Sequence, residues 1–215
     1  MGMRGTAREA GRPNEHTQPG IAGIVLASGM SRRFGTGNKL LARFGTQSVI
    51  SCTVQAYIAA YLSPLLVVVG YQAEEIVEAL NGLSILVVPN RDFLEGQSRS
   101  LRHGLLALPE CTAAAVIGVG DQPLLRAETI RSLINEYDRS GAPLVVPRYA
   151  GQRGNPVLFD RRLFPELLAV EGDRGGRSVV QRYLGEAALV DITDARSGAD
   201  IDTEDALAHL EIRLQ

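Results

Sequence analysis

Residues 24–41, IVLASGMSRRFGTGNKLL, interrupt an apolar run with glycines, hydroxyls and cations before turning apolar again. Ile24, Val25 and Leu26 have the character of the end of a buried strand, and Gly29 with its small neighbours permits a sharp turn there. Gly29, Gly35 and Gly37 then supply backbone freedom, while Arg32, Arg33 and Lys39 supply positive charge. A loop rich in N–H groups and cations, hung on a strand end, suits a polyphosphate. It matches neither common phosphate loop. A P-loop has Lys directly after its second Gly, where Thr36 stands here, and the dinucleotide fingerprint needs Gly in place of Leu40. The competing reading is a solvated charged turn. Three glycines interleaved with three cations directly after a buried strand weigh against it.

GVGDQPLL, residues 118–125, ends a later apolar run with Asp121. Taken alone, it is most simply an Asx-type turn. A carboxylate on the same edge as the cationic loop would instead require a divalent cation beside the phosphates. Mg²⁺ held by one or two carboxylates plus phosphate oxygens is the usual arrangement. ADIDTEDALAHL, residues 199–210, offers a second carboxylate in Asp202. Asp202 or Thr203 could equally cap the last helix, with Asp205 in its first turn. Sequence spacing does not place Asp202 near Asp121. FLEGQSRSLRHGLL sets Gly96, Ser98 and Ser100 at a helix start, where Ser98 makes a good cap. EGDRGGRSVV is a Gly/Arg turn into a helix, either plain connection or a second anion contact.

The elements that must position these residues alternate along the chain. Ile21–Ala27 has strand character, and Ser48–Leu62 carries Ile50, Val54, Tyr57, Ile58 and Tyr61 at helical spacing. LLVVVG (65–70) is a continuous apolar run, as in a parallel strand buried on both faces. QAEEIVEALNG is predicted as a helix, LSILVVP as a strand, and a helix with Leu101, Leu105 and Leu108 precedes the strand TAAAVIGVG. A helix over about 126–139 leads to the strand APLVVP. This alternation predicts an α/β fold with a doubly wound, mostly parallel sheet. After Pro147 come a Gly-rich stretch, a strand-like piece at Pro156–Phe159, two helical pieces, AALVDI and a final helix over about Thr203–Leu214. That half is expected to elaborate the carboxyl edge of the sheet, where open α/β sheets bind ligands.

At 215 residues, 45% hydrophobic and 21% charged, the chain suits one domain with a sizeable core. Residues 1–20 lack periodicity and an apolar h-region, so they are expected to be a disordered extension before a domain at 21–215. A net charge of −2 argues against a nucleic-acid partner, and no apolar stretch approaches the roughly 20 residues of a membrane span. Cys52 and Cys111 are isolated and expected to be buried thiols of a cytoplasmic protein, and His16, His103 and His209 form no zinc pattern.

LASGMSRRFGTGNKLL resembles the L-A-A-G-x-S-x-R-M-G-x-x-K-L-L signature of the MobA-like nucleotidyltransferases. With GDQP, YAGQRGNPVLF, GDRGGR and DIDTEDAL, the chain from about Ile21 onward is most similar to the molybdenum cofactor cytidylyltransferases. The resemblance implies a Rossmann-like nucleotidyltransferase fold and transfer of CMP from CTP to the phosphate of a molybdenum–pterin cofactor, releasing pyrophosphate. It implies that Arg33, Lys39 and Asp121 are catalytic, with Asp121 and Asp202 as Mg²⁺ ligands. Leu26, Ala27, Ser28 and Gly29 would meet the base, and Gly96 and Ser100 would lie by the nucleoside. Gly154, Asn155, Pro156 and Arg177 would face the molybdopterin-type acceptor. A molybdoenzyme or its chaperone is the implied protein partner. Three residues depart from the pattern: Ser28 for the second Ala, Asn155 for His, and Glu204 for Pro. A guanylyl-type relative would have Gly at position 28, so Ser28 favours a pyrimidine, and its hydroxyl is expected to offer the base a hydrogen bond. Two alternatives accompany this reading: an NAD(P)H-dependent reductase on the same scaffold, and a non-catalytic carrier of the cofactor.

Overall fold

The structure, a computed structural model, describes residues 20–35 and 37–212. The expected extension lies outside the described residues except for Gly20, as do Thr36 and the end of the stretch predicted as the final helix. Of the two cysteines expected to be buried, Cys52 is only partly so and Cys111 is exposed. The chain begins with β1 (Ile21–Ala27), a small antiparallel hairpin of β2 (Arg43–Phe44) and β3 (Gln47–Ser48), and α1 (Val49–Ala59). Next come β4 (Leu65–Val69), α2 (Ala73–Ala79), β5 (Leu86–Pro89), α3 (Gln97–Leu106), β6 (Ala114–Val119) and α4 (Ala127–Ser140). The C-terminal half holds β7 (Leu144–Tyr149), β8 (Gln152–Arg153), β9 (Val157–Asp160), α5 (Phe164–Leu168), α6 (Arg177–Arg182), β10 (Ala188–Ile192) and α7 (Glu204–Ile212).

Among the described residues, the main sheet has the order β10-β7-β9-β6-β1-β4-β5, with β8 paired to β7. β1 pairs in parallel with β4 and β6, β4 with β5, and β7 with β10. β9 is inserted antiparallel between β6 and β7. The fold is thus the mixed, mostly parallel α/β sheet that the alternation predicts. The strand-like stretch after Pro156 and AALVDI are strands of this same sheet.

Both faces of the sheet are covered, which is why its strands are apolar at successive positions. Val25, Val67 and Val116 pack with Tyr57 of α1 and Ile130 and Leu133 of α4 on one face. Ile24, Val68 and Ile117 pack with Leu101 and Leu105 of α3 and Leu167 of α5 on the other. Gly104 of α3 lies so near β1 that a Cβ there would come within 2.8 Å of Ile24. Two predicted helices differ in detail. α3 ends at Leu106, leaving Leu108 beyond it, and its N-cap is Gly96, so Ser98 is a buried residue of the first turn and not the cap. Thr203, not Asp202, caps α7: its hydroxyl accepts from Ala206 N at 3.1 Å.

Candidate active site

The loop after β1 is closed on itself by three buried or partly buried polar contacts. Ser31 Oγ donates to Asn38 Oδ1 at 3.0 Å and accepts from Lys39 N at 3.1 Å, while Asn38 Oδ1 also accepts from Leu40 N at 3.0 Å. Gly35 and Gly37 hold φ of 88° and 101°, which side chains rarely adopt. Asn38 sits between Gly37 and Lys39 in the sequence and gives no sign of this clamp. Phe34 anchors the loop in a small cluster with Phe44, Val49 and the fully buried Ile201.

That cluster answers what sequence spacing leaves open. Ile201 N donates to Asp121 O at 2.9 Å, which draws the 200–202 segment onto the end of β6. Lys39 Nζ pairs with Asp121 Oδ2 and, at 3.0 Å, with Asp202 Oδ1. Arg33 grips Asp202 with both terminal nitrogens, at 3.0 and 3.3 Å. The structure therefore brings Arg33, Lys39, Asp121 and Asp202 together at the carboxyl edge of the sheet.

These groups differ in environment. Lys39 and Asp121 are largely shielded, their side chains 17% and 13% exposed, whereas Arg33 is 77% exposed. Burial works against the Lys39 ammonium, but the charge and hydrogen bond of Asp121, with Asp202 behind them, outweigh it and raise its pKa. The Lys39 hydrogen bond holds Asp202 below the usual carboxylate range despite some burial. Asp200, a carboxylate that the sequence reading passed over, joins them. Loss of hydration around its carboxyl, then the negative charge of Asp121, push it up to about 6, although the residue as a whole stays exposed at the cavity wall. Extended backbone alternates its side chains, so with Ile201 inward, Asp200 and Asp202 flank it, and the D-I-D spacing was the available signal.

Two cavities meet at these carboxylates. The smaller, about 420 Å³, is lined by Leu26, Ser28, Gly29, Arg33, Lys39, Gly96 and Ser100, along with Asp173 and the exposed Leu94. The larger, about 840 Å³, takes in Gly154, Asn155 and Arg177, together with Gln122, Tyr149, Arg153 and Asp200. Arg33, Lys39, Asp121 and Asp202 line both. Two predicted site residues line neither: Ala27 is packed in the core against α1, and Pro156 is buried over Gly118. Ser28 meets the smaller cavity with its hydroxyl turned away, donating to Val68 O at 3.0 Å. The expected hydrogen bond from that hydroxyl to a base is therefore replaced by one to the sheet. Ser100 is fixed by Asn90 Nδ2 at 3.0 Å, and Tyr149 holds the loop after β8 by donating to Asn155 O at 2.7 Å.

The donor set fits a divalent cation. Asp121 Oδ1 is buried without a partner, and the two carboxylates lie close enough to share one ammonium. No group of three or more His, Cys, Asp or Glu among the described residues makes a complete metal cage. Two carboxylates completed by phosphate oxygens and water are the pattern for Mg²⁺.

A parallel sheet with a glycine-rich cationic loop set against paired carboxylates defines an α/β nucleotidyltransferase. The chain belongs to the family of the MobA-like NTP transferase domain, which it matches over residues 23–188. Nicotine blue oxidoreductase of Paenarthrobacter nicotinovorans is 26% identical over 200 residues, 89% of this chain and 97% of that protein. The bifunctional protein GlmU of Geobacter metallireducens is 28% identical over 192 residues, 84% of this chain but 40% of GlmU. Rv0371c of Mycobacterium tuberculosis H37Rv has a TM-score of 0.81 at 29% identity, covering 91% of this chain and 100% of that one. Its complex with manganese matches at a TM-score of 0.72 and 28% identity, over 90% of this chain and 98% of that one. No helix among the described residues is long and apolar enough to cross a membrane.

Proposed function

We propose that this protein transfers CMP from CTP to the phosphate of a molybdenum–pterin cofactor, releasing pyrophosphate, with Mg²⁺ as the metal. The observation that carries this reading is the placement of Asp121 and Asp202, with Lys39 and Arg33, where the two cavities join. CTP occupies the smaller cavity and the acceptor the larger. An acceptor phosphate oxygen forms the new bond to the α-phosphorus as the α–β bridging bond breaks and its electron pair leaves with pyrophosphate. Bound to Asp121 and Asp202, Mg²⁺ would neutralise charge developing on the phosphate oxygens. Lys39 and Arg33 exchange a carboxylate oxygen for phosphate oxygens and stabilise the departing pyrophosphate. The chain need supply no general base, because a phosphate monoester is already ionised near neutral pH. Arg153 and Arg177 bring positive charge to the acceptor side. The Ser28 side chain sets how near a ring can approach and favours the smaller pyrimidine.

The deciding experiment measures pyrophosphate release from CTP, GTP and ATP with molybdopterin, with and without Mg²⁺. CTP-dependent release that vanishes with a chelator, and falls at least ~10²-fold in Asp121→Asn, is the expected result. Release that survives the chelator, or a preference for GTP, would refute it. The similarity to nicotine blue oxidoreductase motivates a second reading, an NAD(P)H-dependent reductase. Such an enzyme has no need of the paired carboxylates, and NADPH oxidation without nucleotidyl transfer would establish it.

A further inference from the structure

The carboxylates at the join of the two cavities are neutralised, Asp121 by Lys39 and Asp202 by Lys39 and Arg33. Asp200 lines the larger cavity, and none of the ion pairs within 4.0 Å among the described residues includes it. Beside it is Gln122, only 1% exposed. Gln122 gives an N–H to Gly198 O at 3.1 Å, and its amide also favours the ionised Asp200, while Gln122 Oε1 is buried with no partner. A native interior rarely leaves such an acceptor unmatched. Asp200 and Gln122 line the same cavity, one with a carboxylate outside those ion pairs and the other with an unpartnered amide oxygen enclosed in the cavity wall. Their complement is a set of N–H donors. A carboxylate has two oxygens in one plane and takes two neighbouring N–H groups side by side, as it does from a guanidinium. Val146, Val157 and Phe159 give the cavity an apolar wall for a flat ring. Arg153 and Arg177, also outside those ion pairs, suit an anionic group on the same ligand.

We propose that Asp200 and Gln122 read the second substrate through adjacent N–H donors, the edge presented by a 2-amino-4-oxo-pyrimidine ring. The inference rests on the acceptor assigned above and names the residues that select it. Asp200 accepts from the ring N–H and the exocyclic amine, and Gln122 Oε1 accepts a further N–H.

Two pteridines differing at one position test this: 2-amino-4-oxopteridine and 2,4-dioxopteridine, in which the amine is replaced by an oxygen. Each is titrated into the full chain and followed by its own fluorescence. The amino compound is expected to bind at least about tenfold tighter, the scale of one hydrogen bond to a charged group. In Asp200→Asn that preference should shrink to near parity, because a carboxamide can donate to the oxygen of the dioxo compound. Gln122→Met should weaken the amino compound. Calorimetry of CTP with Mg²⁺ on each variant reports whether the neighbouring site is intact. A purely structural role for Asp200 would weaken both pteridines alike and leave their ratio unchanged. An unchanged ratio in Asp200→Asn, or no preference in the wild type, overturns the inference while leaving the transfer reaction standing. Binding of neither pteridine overturns the inference and the pterin acceptor together. Pteridine discrimination with no transfer from CTP overturns only the proposed reaction.

Discussion

Lys39 satisfies two carboxylates in the free protein, and in the proposed reaction it must also serve a triphosphate. Its partner Asp121 is too shielded to be left with an uncompensated charge, unlike Asp202, whose exposed pairing with Arg33 is worth little. Lys39→Ala should therefore destabilise the metal-free protein by about 3 kcal/mol in urea unfolding, the cost of breaking a buried pair. Mg²⁺ should recover part of that loss by taking the place of the ammonium between the carboxylates. In kinetics the same variant should lose kcat at saturating CTP; a rise in KM alone would make Lys39 a uniform binding contact. Asp200 carries a second residue-scale prediction. Its folded pKa, near 6, lies above the ordinary value, with burial, Asp121 and Asp202 favouring the neutral form and Lys39 and Gln122 opposing them. A raised carboxyl pKa gives stability at low pH that is lost as pH rises through about 6. Asp200→Asn should raise Tm above pH 6 and not below pH 4; a variant less stable at high pH would contradict this sign.

Three segments make the site, and the sequence marks a charged residue in each without showing that they meet. The strands were readable because a sheet covered on both faces demands successive apolar residues, as LLVVV shows. The cationic loop was readable because glycines and charges are incompatible with the strand they follow. The antiparallel entry of β9 between β6 and β7 was not, since pairing direction depends on how the chain returns after β7 and not on composition. Nor was the meeting of Asp202 with Asp121, which depends on Ile201 packing against Phe34 and on its amide bonding to Asp121 O. Side-chain direction was equally hidden: Ser28 is where the motif suggests, but its hydroxyl serves Val68. Ile201→Ala tests the anchoring of that segment. It should cost roughly 3 kcal/mol of stability, within the range for emptying a buried Ile. The Mg²⁺ concentration giving half-maximal activity should rise in the same variant, because Asp202 and Asp200 lose their registration on β6. If stability falls and metal dependence is unchanged, Ile201 is only a core residue.

Across the whole molecule, the carboxyl edge of one sheet carries two cavities with a shared boundary of charged groups. Asp121 and Asp202 are held apart from solvent cations by Lys39 in the free protein, so metal and nucleotide should bind far better together than either does alone. In the proposed reaction the phosphates of CTP would draw Lys39 and Arg33 away from the carboxylates and free those carboxylates for the metal. Thermal unfolding reads this coupling directly, because a ligand that binds only the folded chain stabilises it by mass action. At about a hundredfold excess over Kd, the gain is about 2.7 kcal/mol, which for a chain of this size is a rise in Tm of about 5–10 °C. CTP with Mg²⁺ should give that rise. CTP with chelator, or Mg²⁺ alone, should give much less than half of it. NADPH should give none, with or without the metal. Additive shifts from CTP and Mg²⁺ would mean that the lysine does not gate the carboxylates. A larger shift from NADPH than from any nucleoside triphosphate would transfer the smaller cavity to a redox ligand and the paired carboxylates to a purely structural role.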